Sequence, residues 1–327
     1  MSEPSSLFVI INNAAARARR AWPGIRAYLE TERIRFSAHE SVKPGETEKR
    51  TRAALAEGFA TVAVVGGDGT LSAAASGYFE PCVGLATNAR PRAINAEAAL
   101  AVLPAGTGDD FARGLAGGRR GTLEAWLARL VAHCREPAAT RSVDVLLGSA
   151  DAGAQRFVCL NAATLGIGAE VAGRVAAQGK RLRRLSGEMR FACAAVQSLA
   201  VWRNRRVRVC VEGRVWEECE TNLLAVVNGP FAGGGMNFSP GASLTDGLLD
   251  VLAVCGLSRA GLLRELARVH RGGHLANPKV RLARGTSVRV EMADESGALA
   301  IEADGDVRGH TPAEFRVLAS ALRVVCF

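Results

Sequence analysis

The sequence predicts two domains: an N-terminal α/β domain with an open parallel sheet, then a C-terminal β-rich domain folded as a sandwich. In the first 135 residues, apolar runs of strand length alternate with helical segments, which is typical of a parallel sheet. Beyond them, short strand-like runs recur at regular spacing, which is typical of an antiparallel sandwich or barrel. A length of 327 residues suits two domains. We expect them at 1–135 and 136–317, and residues from about 318 to 327 could return to the first.

In the N-terminal domain, the strands at 7–11 and 61–65 are wholly apolar, as expected of parallel strands covered on both faces. The other expected elements, in chain order, are a helix at 14–32, a strand at 34–37, helices at 46–57 and 69–77, and a strand at 100–103. The stretch 87–97 has no clear periodicity, and we expect it to be a surface insertion.

In the C-terminal domain, the expected strands lie at 142–147, 157–162, 206–212, 215–219, 223–227, 248–254, 280–282, 287–292 and 299–303. We expect helices at 185–202 and 259–269. Ser258 suits the N-cap of the second helix, and Gly272 lies just past its end.

The composition narrows the cellular setting and the partners. No apolar run reaches the length of about 18 residues that a membrane span needs, and the N-terminus lacks the pattern of a signal peptide. We therefore expect a cytoplasmic protein whose eight cysteines are buried free thiols. The net charge of +9 favours polyanionic partners. The basic stretches at 180–184 and 203–208 suit a solvated surface equally well, and since no nucleic-acid motif accompanies them, we expect no nucleic-acid partner.

The first site signal is the run GGDGT at 66–70, directly after an apolar strand. Glycines at the end of a strand let the backbone approach a phosphate closely, and amides at the start of the next helix point towards it. An ordinary strand-to-helix turn is the competing interpretation. The Rossmann and Walker A patterns, which would indicate other nucleotide sites, are absent from the sequence.

The second signal is the run LPAGTGDDFAR at 103–113, which repeats the order of apolar strand, glycine turn and helix. Either Asp109 or Asp110 suits the cap of that helix. Ligands of open α/β sheets bind at the carboxyl ends of strands. We therefore expect this loop to face the first one at the edge of the sheet.

These two runs, in this order, resemble the diacylglycerol kinase catalytic family, which includes sphingosine and ceramide kinases and soluble bacterial lipid kinases. GGDGT alone is shared with NAD kinases and phosphofructokinases, so the resemblance implies an N-terminal domain of that fold. The later segments that match the family are 161–170, 228–229, 233–236, Pro240, 246–250 and 304–306.

The resemblance implies a kinase that uses ATP and Mg²⁺ to phosphorylate a lipid alcohol, foremost diacylglycerol. The matching nucleotide-binding positions are Asn12, Thr47, Gly66, Gly67, Asp68, Gly69, Thr70, Gly106, Thr107 and Gly108. The matching magnesium ligands are Asp246, the Leu248 carbonyl and Ser243. The family's general base falls on Asp306, with Asp304 beside it, although Asp-Gly at 304–305 is also a strong hairpin-turn signal.

The chain departs from the family pattern at several positions. The loop after Asn12 lacks the usual proline and glycine, Asp109 replaces an asparagine, Glu170 replaces an aspartate and Asp306 replaces a glutamate. A shortened base shifts its carboxylate by about 1.5 Å, which can cost on the order of 100-fold in rate. A small-molecule kinase like the NAD kinases, or a catalytically weak regulator that binds nucleotide or lipid, therefore stays open.

The expected setting is the inner surface of the membrane. A basic stretch such as 180–184 would hold the protein there in transient contact, since each Lys or Arg near an anionic surface contributes about 1 kcal/mol. A homodimer is left open.

Overall fold

The computed structural model describes residues 7–81, 89–136, 140–179, 187–295 and 297–325. The chain divides into two compact units, Met1–Val145 with Ala319–Phe327, and Leu146–Leu318. The sequence placed the first boundary at 135, about ten residues earlier. The chain passes between the units within two long strands, which are numbered β5 and β17 below.

The first unit consists of strands and helices in alternation. In chain order they are β1 (Leu7–Asn12), α1 (Ala16–Thr31), β2 (Phe36–Ser41), α2 (Glu46–Ala56), β3 (Thr61–Gly66), α3 (Asp68–Ser76), β4 (Ala99–Pro104), α4 (Asp110–Leu115) and α5 (Leu123–Arg135). The end of β17 (Ala313–Val325) completes the unit.

The strands of this unit form a parallel sheet in the order β17-β4-β3-β1-β2, which confirms the predicted open sheet. All six residues of β3 are buried, because β3 lies inside the sheet between β1 and β4. β2 pairs with β1 alone among the described strands and has a polar, partly exposed sequence. That polarity explains why the predicted strand at 34–37 was shifted from the observed Phe36–Ser41.

The second unit is dominated by strands. In chain order its elements are β5 (Thr140–Ala150), β6 (Gln155–Cys159), β7 (Ala162–Gly166), α6 (Ile167–Ala177), α7 (Gly187–Val201), β8 (Arg205–Val211), β9 (Arg214–Val227), β10 (Phe231–Ala232), β11 (Met236–Asn237), β12 (Leu249–Cys255), α8 (Arg259–Val269), β13 (Val280–Gly285), β14 (Ser287–Met292), β15 (Ala300–Ala303), β16 (Asp306–His310) and the start of β17.

The second unit pairs its strands in antiparallel fashion along the path β16-β15-β7-β9-β8-β14-β17, with β12 between β9 and β13. One face of these strands buries a large apolar cluster that includes Leu224, Val226, Val290 and Phe315. The β-rich sandwich expected from the sequence is confirmed.

The helices of the second unit differ in part from expectation. Ser258 caps α8 as predicted, because its side chain accepts a hydrogen bond from the Gly261 amide. The sequence did not predict α6, whereas the helix expected at 185–202 corresponds to α7. Val196 and Val201 of α7 are exposed, whereas Ala194, Ala195 and Leu199 are buried, so this helix is amphipathic. Among the described residues, no helix has the length and apolarity needed to cross a membrane.

The prediction that all eight cysteines are free thiols is wrong for two of them. Cys219 of β9 and Cys255 of β12 form a disulfide, with Cα atoms 6.1 Å apart. The antiparallel pairing of the two strands, with a register shift at Val254/Cys255, brings these residues together although 36 positions separate them. Spacing along the sequence does not reveal a pairing of this kind.

Candidate active site

Two glycine loops touch each other where β3 and β4 end. A Cβ atom placed on Gly67 would lie 3.0 Å from the Gly106 Cα atom, and one on Gly106 would lie 2.6 Å from the Gly67 Cα atom. Between the strands, the Ala105 amide donates to the Gly66 carbonyl at 2.9 Å. The close contact exists because neither residue has a side chain, and it brings together the two runs that the sequence singled out.

The first loop is tied to the end of β1. Asn12 Nδ2 donates to Thr70 Oγ1 at 2.8 Å, and Asn12 Oδ1 accepts from the Ala15 amide at 3.2 Å. A Cβ atom on Gly66 would lie 2.7 Å from the Thr70 Cβ atom, so the Thr70 side chain packs directly over this glycine. These contacts place Asn12 in the same site as the glycines even though its loop lacks the family's proline and glycine.

Asp68 links the two loops through a hydrogen bond of its side chain. Together with Gly69 and Thr70 it forms the first turn of α3, and its Oδ1 atom accepts a hydrogen bond from the Phe111 amide at 3.0 Å. Phe111 lies in α4, directly after the second loop. The carboxylate therefore orders the loops, which is one of the roles that an acid at this position can have.

The second loop is held by charged side chains. Asp109 has a left-handed backbone, with a φ of 50°, and its Oδ1 atom accepts from the Gly106 amide at 2.8 Å. Arg120 Nη2 donates to the Thr107 carbonyl at 2.9 Å and lies 3.3 Å from Asp109 Oδ2. Arg17 Nη1 donates to the Gly106 carbonyl at 2.7 Å. Asp109 thus gains a cationic partner that the usual asparagine would not need.

Sequence reasoning missed Arg17 and Arg120, because nothing in their local pattern indicates which loop they reach. Of the remaining predicted nucleotide residues, Thr107 is exposed, whereas Gly108 and Thr47 are buried. Thr47 lies in the first turn of α2. All of these residues belong to the first unit.

The predicted magnesium ligands lie on one turn of the second unit, just before β12. The Leu248 amide donates to Asp246 Oδ1 at 3.1 Å, and the Thr245 amide donates to Ser243 Oγ at 3.3 Å. The other carboxylate oxygen of Asp246 lies 4.0 Å from Arg284 Nη1. Carboxylate, hydroxyl and carbonyl oxygens are the hard ligands that Mg²⁺ prefers, so this donor set fits the ion.

The two aspartates proposed as base occupy different environments in the hairpin β15–β16. Asp304 is at the turn with a φ of 48°, and its carboxylate accepts hydrogen bonds from the amides of Leu160, Asn161 and Ala162 at 2.7, 3.0 and 3.4 Å. The Asp306 side chain is 67% exposed and lies 3.2 Å from Arg308 Nη2. Because Asp304 is engaged with the backbone, Asp306 is the carboxylate that a substrate hydroxyl could reach.

Glu302, two residues before this turn, is a titratable group that the sequence did not single out. Burial raises the pKa of its carboxyl to about 7, although hydrogen bonds from Thr164 and from the Gly305 amide act in the opposite direction. The neighbouring charges of Asp304 and Asp306 raise the pKa further. A carboxyl group that titrates near neutral pH suits general acid or base chemistry.

A cavity of about 420 Å³ opens in the second unit, between the end of α7, β9 and the start of α8. Leu199, Trp202, Leu257 and Leu262 supply its apolar wall, and Asn222 joins the wall by hydrogen bonds to Asn204 and Leu257. Among the described residues the indole Nε1 of Trp202 has no hydrogen-bond partner. This volume is in the range of small-ligand sites.

Two family models cover the chain. Residues 6–143 match the diacylglycerol kinase catalytic domain, and residues 163–326 match the YegS C-terminal NAD kinase beta sandwich-like domain. The first match contains both glycine loops, and the second contains the β15–β16 hairpin and the turn at Asp246. The predicted nucleotide residues thus lie in the first matched domain, and the predicted base and magnesium ligands lie in the second.

Relatives and solved structures agree with these models. A diacylglycerol kinase of Mycobacterium tuberculosis is 29% identical over 84% of this chain and 79% of its own length. A Pseudomonas aeruginosa protein named "Probable lipid kinase YegS-like" is 30% identical over 86% of this chain and 81% of its own. A crystal structure of a diacylglycerol kinase from Bacillus anthracis has the same fold, with a TM-score of 0.66 at 18% identity over 100% of this chain and 98% of that one. The chain therefore belongs to the family of diacylglycerol kinases and YegS-like lipid kinases, and it is a phosphotransferase.

Proposed function

We propose that this protein transfers the γ-phosphoryl group of ATP to the hydroxyl group of a lipid alcohol, with diacylglycerol as the foremost acceptor. The observation that carries the proposal is the contact between Gly67 and Gly106, where a Cβ atom on either residue would lie 3.0 Å or less from the other. Two glycine-rich loops at the carboxyl edge of a parallel sheet allow the close backbone approach that suits a polyphosphate.

The charges around these loops support a nucleotide site. Arg17 and Arg120 reach the carbonyls of Gly106 and Thr107, so two cations lie beside the loop while its carbonyls are occupied. The amino-terminal end of α3, a helix of nine residues, adds the partial positive charge of its first amides. Anionic phosphate groups are stabilised by both features.

In the second unit, Asp306 is the proposed general base and Asp304 is the proposed positioning residue. The Asp304 carboxylate fixes the turn that presents Asp306, because it binds three consecutive backbone amides. Asp246, Ser243 and the Leu248 carbonyl would hold Mg²⁺, which would supply positive charge at this turn and order it when bound. One carboxylate oxygen of Asp246 would bind the ion, and Arg284 would balance the negative charge of the other oxygen of Asp246.

The lipid chain is proposed to enter the cavity beside Trp202. Leucines and the Trp202 ring form the apolar part of its wall, beside polar residues such as Arg203, Glu220 and Arg259. The first residue of β7 accepts a hydrogen bond from the Asp304 amide, and β7 pairs along β9 towards this cavity. We expect Leu262→Trp, which fills the space, to raise the KM for long-chain diacylglycerol by about tenfold and to leave short-chain acceptors unaffected. Leu263→Trp, on the exposed side of the same helix, is the matched control. Equal effects of both substitutions on all acceptors would remove the cavity from the proposal.

The decisive experiment measures transfer of labelled γ-phosphate from Mg-ATP to diacylglycerol, a monoacylglycerol, a sphingoid base and NAD. We expect a labelled lipid with the parent, a loss of roughly 100-fold or more with Asp306→Asn, and recovery with Asp306→Glu, which restores the family residue. Labelled NAD phosphate without labelled lipid would replace the proposal with the small-molecule alternative. ATP binding without transfer to any acceptor would replace it with a regulator.

A transient contact with anionic membrane is part of the same proposal. Its support is the net charge of +9. The basic stretch at 180–184, on which the expectation rested, lies outside the described residues, and in the other stretch Arg206 and Arg208 already form ion pairs with Glu218. The first stretch is therefore the one to test.

A further inference from the structure

Three metal-ligating side chains meet on β9 and β12, apart from every residue discussed above as catalytic or nucleotide-binding. They are Glu217, Cys219 and Cys255, and one ligand atom from each lies within 4.8 Å of the others. Glu217 and Cys219 are two positions apart on β9, so their side chains project from the same face of the strand. Cys255 reaches the same place from the end of β12. All three residues are half-buried, so their side chains are partly shielded from solvent but still accessible to it.

The Glu217 carboxylate is already oriented by a neighbouring strand. Arg281 of β13 donates from Nη1 to Glu217 Oε2 at 2.5 Å, and a carboxylate oxygen of Glu217 lies within 4.8 Å of the two sulfur atoms. Metal ligands are commonly fixed in this way by an outer partner. The contact fixes the orientation of the Glu217 side chain, which would otherwise rotate freely.

Contacts with Lys279 fix the chain around Cys255. Lys279 Nζ donates to the carbonyl of Gly256, the residue after Cys255, at 2.7 Å, and the Cys255 amide donates to the Lys279 carbonyl at 3.0 Å. These contacts hold the backbone of Cys255 in place beside Cys219, and the thiolate is the form of cysteine that binds metal.

We propose that Glu217, Cys219 and Cys255 form a binding site for a thiophilic divalent cation, foremost Zn²⁺, which is open when the disulfide is reduced and closed when it is formed. A dithiol reductant breaks the Cys219–Cys255 bond, becomes a disulfide itself and leaves two thiols on the protein. Zn²⁺ then displaces two protons and binds both sulfur atoms and a carboxylate oxygen of Glu217, with water as fourth ligand. Two sulfur ligands select Zn²⁺ over Mg²⁺, so this site is distinct from the turn at Asp246.

The site can be tested on the full chain with Co²⁺ and Zn²⁺ after reduction and removal of the reductant under anaerobic conditions. We expect one Co²⁺ per chain with the intense visible bands of a tetrahedral thiolate complex, and displacement of Co²⁺ by Zn²⁺. The oxidised chain should bind neither ion. Glu217→Gln and Arg281→Met should weaken Co²⁺ binding by about 10- to 100-fold.

Cys219→Ser and Cys255→Ser should each abolish the bands, and Cys134→Ser, which changes a free cysteine of the first unit, is the matched control. Circular dichroism shows whether each variant is folded, and in a folded variant the loss of the bands is attributable to the missing ligand. The proposal is overturned if the reduced parent binds no Co²⁺, or if binding persists in both serine variants. It is also overturned if thiol titration shows that the native disulfide resists reduction altogether.

Discussion

At the scale of single residues, the contact between the two loops requires glycine at both positions, because glycine has no side chain. Gly67 and Gly106 meet backbone to backbone, and a Cβ atom on Gly106 would also lie 2.6 Å from Asp109 Oδ1. Neither the neighbouring Cα atom nor the carboxylate, which is held by the Gly106 amide and Arg120, can retreat easily. The need for glycine at these positions is therefore steric, in addition to any contact with phosphate.

We predict that Gly106→Ala lowers kcat/KM for ATP by about 100-fold, because the loops must separate by a distance of the order of 1 Å. Steady-state kinetics and nucleotide titration measure the effect. Gly24→Ala is the control, since a Cβ atom there has nothing within 4 Å and alanine favours the helix. Unchanged ATP binding in the Gly106 variant would mean that the two loops do not form the nucleotide site together.

The raised pKa of Glu302, about 7 against an ordinary 4.5, predicts a pH dependence of stability. Between these values the folded chain binds more protons at this carboxyl than the unfolded chain does. The free energy of unfolding therefore falls as the pH rises from 4.5 to 7 and then levels off. We expect Glu302→Gln to remove this contribution and to raise the Tm above pH 7 by a few degrees.

Thermal unfolding of parent and variant across this pH window measures the effect. The exposed Glu295 offers the control substitution Glu295→Gln, which should leave the pH profile of the Tm unchanged. A Glu302→Gln variant with the parent's pH profile would show that this carboxyl does not titrate near neutral pH.

At the scale of elements, the β15–β16 hairpin illustrates how a turn can position a reactive group. Asp304 and Gly305 both have positive φ values, 48° and 97°, as the tight turn requires. The Asp304 carboxylate then crosses to the amides at the start of β7. The turn, β7 and Asp306 are thus ordered as one element.

We predict that Asp304→Ala destabilises the protein by at least about 2 kcal/mol, since three amides lose their acceptor and alanine disfavours the left-handed backbone. Asp304→Asn, which retains an acceptor oxygen and tolerates that backbone, should cost about 1 kcal/mol and keep kinase activity. Urea denaturation and phosphoryl-transfer assays measure both. A folded but inactive Asp304→Asn variant would transfer the role of general base from Asp306 to Asp304.

At the scale of the whole molecule, the net charge is the property that acts over the longest distance. The chain has 41 basic and 32 acidic residues, and many arginines of the second unit are already paired, such as Arg206 and Arg208 with Glu218. An excess of positive charge attracts anionic membranes over about one Debye length, and salt weakens the attraction.

We predict that the protein sediments with vesicles containing phosphatidylglycerol, and that binding falls as the salt concentration rises. Replacing Lys180, Arg181, Arg183 and Arg184 by glutamine should weaken binding at least tenfold, since each charge contributes about 1 kcal/mol near such a surface. Arg206→Gln with Arg208→Gln is the control, because those charges are neutralised within the protein. Equal binding of all variants, or binding that is independent of salt, would contradict the membrane contact.

The sequence by itself determined the order of the two domains, the parallel sheet, both glycine loops and the cap at Ser258. These features depend on residues that are close together in the chain, since apolar runs, glycine turns and capping side chains act over a few positions. The families of the relatives agree with the resemblance that the same local runs indicated. The roles assigned to Asp306 and to the turn at Asp246 stay predictions.

The tertiary structure alone decided which distant residues meet. Arg17 and Arg120 reach the second loop, Glu302 is half-buried beside two other carboxylates, and Cys219 lies against Cys255. Each of these contacts depends on strand order and register, which arise from packing of the whole chain. Because residue spacing does not encode which strands become neighbours, the sequence could name the loops of the site but not the charges that hold them.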